Sequence, residues 1–142
     1  MTKPFPRAIL FGILALIVWA IASAVISLVL VGLPGARDAA AEFQRNAIQQ
    51  ATTVDLFVGP IVLLVFGWLA ARPFTGKLAI GVSLLTALVL VLADLLLAIV
   101  FGNAERLDLN ATALSYALKI AGGVAGGLLA SRTGSEVSLD KE

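Results

Sequence analysis

Residues Leu78–Phe101 read LAIGVSLLTALVLVLADLLLAIVF: twenty-four positions with a single charge, Asp94. A run of about 20 apolar residues is what a helix needs to cross the hydrocarbon of a bilayer. No soluble domain of this size could hide such a segment together with the rest of the chain. Of the 142 residues 60% are hydrophobic and only 13% charged, against about 25% charged in ordinary globular chains. Mean hydropathy is +1.02. The solvent for this protein is lipid.

Three more segments follow the same rule. Residues 8–33 form the first candidate span, closed by Pro34-Gly35, and residues 53–71 the second, containing Gly59-Pro60, a kink signal. With 78–101 and then 111–130 the count is four. Each has to be helical, because hydrocarbon supplies no partner for an open backbone. The expected fold is an all-α, four-helix transmembrane bundle occupying residues 1–132. The first segment has a basic start but an apolar run far longer than a signal-peptide h-region of about 7–15 residues, so it reads as a retained helix.

Basic residues orient the bundle. Lys3 and Arg7 precede the first span, Arg72 and Lys77 fill the link between the second and third, and Arg132 follows the fourth. The other two connections are mixed in charge, with Arg37, Asp38, Glu42 and Arg45 in one and Glu105, Arg106 and Asp108 in the other. The positive-inside rule then places both termini in the cytoplasm, and the pattern suits a bacterial-type inner membrane. Residues 34–52 are expected to form an extracytoplasmic amphipathic helix, either extending the second span beyond the bilayer or lying along the outer interface, since Phe43, Ala47, Ala51 and Val54 recur at helical spacing. The polar tail 133–142 is expected to be disordered.

Short matches suggest a hairpin used twice, over 3–72 and 72–132. Lys3-Pro4-Phe5 returns as Arg72-Pro73-Phe74, with Gly12 and Gly81 at the same offset, and GWLAAR at Gly67–Arg72 returns as GLLASR at Gly127–Arg132. A duplication of this kind makes parallel repeats about an axis along the membrane normal. The competing explanation is coincidence in an alphabet of Leu, Ala, Val and Gly.

Ionisable residues within spans are the candidates for function. Asp94 lies seven residues before Phe101 and Lys119 eight after Ala111, which puts both about 10–12 Å below the outer ends of their helices. Neighbouring antiparallel helices would hold them level, and an Asp94–Lys119 ion pair is expected. Tyr116, Gly123 and Gly127 share the Lys119 face, while Ser83, Ala87 and Ala98 share that of Asp94. Gly122/Gly126 and Gly123/Gly127 supply two close-packing faces, one for the bundle and the other for a second copy or a partner. Ser23 and Ser27, with Ala20 and Ala24, form a small-residue stripe around Trp19. Tyr116 and Asp55 are the polar neighbours to consider, although Asp55 reads more simply as a residue at the outer water interface.

The inventory argues against catalysis. The chain contains neither Cys nor His, so thiol chemistry, the commonest metal ligand and the usual proton shuttle are missing. No metal site, cofactor or enzymatic activity is expected, and a net charge of +1 gives no reason to expect nucleic acid. The four-helix plan invites comparison with small multidrug transporters, but those carry a glutamate in the first helix, and here that helix has no carboxylate. The leading functional expectation is a non-enzymatic accessory or scaffold subunit. It would act through helix–helix and extracytoplasmic contacts with the bilayer and with a homo-oligomer or larger membrane-protein partner. The alternative is a small oligomeric transporter or channel built on Asp94 and Lys119.

Overall fold

A computed structural model describes the backbone of residues 3–31, 39–100 and 109–139, and the side chains of residues 3–29, 54–100 and 109–133. It contains four helices: α1 (Pro4–Val31), α2 (Ala39–Ala71), α3 (Gly76–Val100) and α4 (Leu109–Leu139). All four carry a stretch long and apolar enough to cross a membrane.

Local chemistry sets the visible ends. Pro4 and Pro6 open α1, where the first turn has no intrahelical acceptor for its N–H groups and a missing donor costs nothing. Between α2 and α3 the chain reverses in four residues, with Arg72 N donating to Trp68 O at 2.8 Å and Phe74 N to Ala71 O at 2.8 Å. Gly76, at φ +56°, then enters α3 through the left-handed region that a side chain would resist. Arg7 closes the same end of the bundle. Its Nε donates to Ala70 O and its Nη2 to Leu69 O, both at 2.9 Å, satisfying carbonyls that α2 leaves without partners as it terminates.

The second helix begins at Ala39, so the backbone of 39–52 extends the membrane helix, the first of the two arrangements expected for this segment; the side chains that would make it amphipathic lie outside the described residues. The tail is also helical through Leu139, where the sequence predicts disorder from residue 133. A helix already nucleated in the membrane extends by one hydrogen bond per residue, with no new nucleus to form. Thr133 Oγ1 adds bonds back to the Leu129 and Ala130 carbonyls, both at 3.2 Å.

Packing is inverted relative to a soluble bundle. Large apolar side chains point outward: Ile13, Ile17 and Ile21 on α1, Ile61 and Val65 on α2, Leu92 and Leu96 on α3, Leu114 and Leu128 on α4. The interior is lined by small residues in two layers. Ala8, Ala70, Ala71, Phe74, Ala79, Val82 and Ala130 pack at the basic end, and Ala15, Val62, Leu63, Ala87 and Leu90 pack above them. The most extensive contact is α2 on α4, which run parallel, flanked by α1 on α2 and α3 on α4.

Glycines set these distances. A Cβ on Gly122 would sit 2.9 Å from Pro60 Cα, and one on Gly126 would sit 2.8 Å from Trp68 N, so this pair lies directly on the α2 backbone. Gly123 and Gly127 face α3, where added carbons would meet Ala87 Cβ at 2.7 Å and Ile80 Cα at 2.9 Å. Ser83 Oγ donates to the Gly123 carbonyl across that second contact. Both glycine faces are therefore used inside the bundle, and the expectation that one of them serves a second copy or partner is corrected. A helix wedged between two neighbours needs a close-packing face for each.

The duplicated-hairpin reading is matched only in part by this packing: α1 lies on α2 as extensively as α3 lies on α4. A two-fold axis along the membrane normal would exchange α1 with α3 and α2 with α4, making the α1–α4 and α2–α3 contacts equivalent. Yet α2 packs on α3 while α1 and α4 barely approach. Gly12 is pressed against Val89, with Cγ1 2.6 Å from a built Cβ, whereas its partner Gly81 has open space around it. Gly67 and Gly127 converge on one α3 residue, Ser83, instead of on corresponding residues of two hairpins.

Candidate functional site: a buried lysine between two aspartates

Lys119 is the largest fully buried side chain among the described residues. Its stem needs room, and α2 provides it at Gly59: a Cβ there would stand 2.6 Å from Lys119 Cε and 2.9 Å from Cγ. The Gly59-Pro60 pair read from sequence as a kink thus also makes a slot. The helix continues through Pro60 without interruption.

The ammonium lies 2.9 Å from Asp55 Oδ1 and 3.2 Å from Asp94 Oδ2. It also lies 4.4 Å from the centre of the Trp19 ring and 5.2 Å from that of Tyr116. Three N–H donors therefore face two carboxylates and two aromatic faces, which attract a cation through the ring quadrupole. Trp19 Nε1 donates to Asp55 Oδ1 at 2.7 Å, and Ser115 Oγ donates to Asp55 Oδ2. Tyr116 places its hydroxyl against Asp94. Every helix contributes: Trp19 from α1, Asp55 from α2, Asp94 from α3, and Ser115, Tyr116 and Lys119 from α4.

Counting from the basic end at 1.5 Å per residue, the three charged positions stand about 20–27 Å up their helices. In a hydrocarbon layer about 30 Å thick that is about 3–10 Å from the face opposite the basic residues. An ionisable side chain inside that layer finds its partners within the protein.

Several expected residues converge here: Asp94 and Lys119 as a pair, with Tyr116 and Asp55 beside them. Asp55 is the second residue of the α2 span Val54–Ala71 and 21% exposed, toward the outer end as the sequence reading has it, and it is also the carboxylate with the most donors in the site. Trp19 and Ser115 are not foreseen as site residues. Ser115 is legible as the position one turn before Lys119, whereas Trp19 is noted only as the centre of a small-residue stripe. Within that stripe Ser23 Oγ is buried without a hydrogen-bond partner. Ser27 is half-buried, and Ala20 and Ala24 face outward.

The fold and site together define a class: a small integral membrane protein whose four helices meet at one buried cationic side chain. Compared with known protein families, with curated proteins and with solved structures, the chain matches none.

Proposed function

We propose that this is a non-enzymatic accessory or scaffold protein of a bacterial-type inner membrane, acting through contacts between its helices and those of a larger membrane protein. The observation that carries the reading is that its intramembrane charges, Asp55, Asp94 and Lys119, engage one another within its own bundle. Lys119 is enclosed by side chains from all four helices, so the cluster serves as a pin fixing their register. Large apolar side chains cover the described outer faces of the helices. On α1, Ala20 and Ala24 lie exposed one turn apart among Ile17, Ile21 and Leu28, a small-residue face of the kind that lets a second helix approach closely. The α2 extension over 39–52 is available for contacts beyond the bilayer.

Orientation follows from charge: Lys3, Arg7, Arg72, Lys77 and Arg132 gather at one end, supporting cytoplasmic termini. The chain has no cysteine, so single cysteines at Lys3, Lys77 and Leu109 can be labelled in intact cells without further engineering. Protection of the first two together with labelling of the third is expected. The accessory role is tested by native mass spectrometry after mild extraction. A stoichiometric complex with a larger membrane protein supports it; a lone homodimer that conducts solute or ions in proteoliposomes, dependent on Asp94, refutes it. The transport reading has one observation in its favour, the excess of carboxylates over cations around Lys119.

A further inference from the structure

One ammonium against two carboxylates leaves the cluster one negative charge over when all three groups are ionised. Lipid does not offset that charge: an isolated ion costs about 2.5–3.5 kcal/mol at the centre of the bilayer and less toward the interface, the side on which this cluster lies. The charged groups facing one another are Asp55 from α2, Asp94 from α3 and Lys119 from α4, with the Tyr116 hydroxyl also from α4; α1 contributes only the neutral Trp19. No described arginine or second lysine reaches the site, since Lys3, Arg7, Arg72, Lys77 and Arg132 belong to the opposite end of the helices.

We propose that the cluster binds one exchangeable monovalent cation, a proton or an alkali-metal ion, at Asp94. The two aspartates are not equivalent. Asp55 accepts from Trp19, Lys119 and Ser115, so both of its oxygens are engaged. Asp94 meets the ammonium through Oδ2 at the longer distance of 3.2 Å and has the Tyr116 hydroxyl against it, while the two carboxylates are equally exposed, 20% against 21%. A carboxylate offers about four lone-pair sites, so Asp94, with two donors against it where Asp55 has three, retains the greater acceptor capacity. One turn beyond Trp19 on the same face of α1, Ser23 Oγ is buried without a partner. This inference goes beyond the accessory role and holds whether or not the protein has a partner, because it rests on charge balance around Lys119.

The test uses the full-length protein in detergent, with two readouts that separate the ions. Infrared difference spectra through a pH titration report the carbonyl stretch of a protonated carboxylic acid. Melting temperature in sodium, potassium, lithium or choline chloride at constant ionic strength reports an alkali-metal ion as saturable stabilisation. Wild type is expected to give one of these signals with a stoichiometry of one per chain. Asp94→Asn and Asp55→Asn each make the cluster neutral, and each is expected to abolish the signal while keeping the helical spectrum of wild type. Lys119→Met is expected to raise the stoichiometry to two. Absence of both signals in wild type overturns the proposal, as does a signal that persists in either Asn variant. The two Asn variants decide the matter even if the Lys119 variant fails to fold.

Discussion

Gly59→Ala probes the slot that holds the Lys119 stem, and its effect should depend entirely on what occupies residue 119. In the native chain the new methyl carbon would stand 2.6, 2.9 and 3.3 Å from Cε, Cγ and Cδ of Lys119. Overpacking of this kind costs about 1–3 kcal/mol. The lysine can yield only by moving its ammonium away from Asp55 and Asp94, and a polar contact between membrane helices is worth about 0.6 kcal/mol on average, up to about 1.7. Against this, alanine favours the helix over glycine by about 1 kcal/mol. The net expectation is a loss of about 2 kcal/mol in the native background. In Lys119→Ala the three offending carbons are gone, and only the propensity term remains, a gain of about 1 kcal/mol. A cycle of the four proteins, followed by denaturant unfolding in mixed micelles, should give a coupling of about 3 kcal/mol, where independent sites agree to within about 0.5. If Gly59→Ala has the same effect in both backgrounds, the lysine stem does not lie against Gly59 and the geometry of the site is wrong.

Other perturbations follow from the same contacts. Asp55→Ala should destabilise more than Asp94→Ala, by about 1–2 kcal/mol, because it strands Trp19 Nε1 and the Ser115 hydroxyl as well as the ammonium; equal losses in a thermal-shift series would contradict that ordering. Gly126→Ala must push α4 off the α2 backbone and should cost about 2–3 kcal/mol, while Gly81→Ala, with open space around the added carbon, should be neutral or gain up to about 1. Arg7→Gln removes two bonds to the last turn of α2. Faster hydrogen exchange at Arg72 and Phe74, with little change at Asp94, would report fraying confined to that end.

Much of this protein is legible because lipid imposes simple rules. An apolar run of sufficient length must be a helix, since no other backbone conformation satisfies its own hydrogen bonds in hydrocarbon. For the same reason an aspartate and a lysine within such runs seek each other, and the spacing of Asp94 and Lys119 from their helix ends is enough to place them level. Small residues on the Lys119 and Asp94 faces mark the sides turned inward. Those inferences need only counting along a helix. Asp55 escaped them because it stands at the outer end of its span, where counting along one helix cannot tell a solvated carboxylate from one that Trp19, Ser115 and Lys119 hold from neighbouring helices.

By itself, then, the sequence determined the four spans, the end at which basic residues gather, and the presence of a paired intramembrane charge. Only the tertiary structure decided which helices are neighbours. That choice made α2 and α4 parallel partners, turned both glycine faces inward and brought Trp19 and Ser115 to Asp55. The physical reason is that such contacts depend on how four similar apolar cylinders are arranged around one another. In lipid their apolar surfaces discriminate little among arrangements, and the close fit of glycine against backbone, with a lysine needing two aspartates, selects among them.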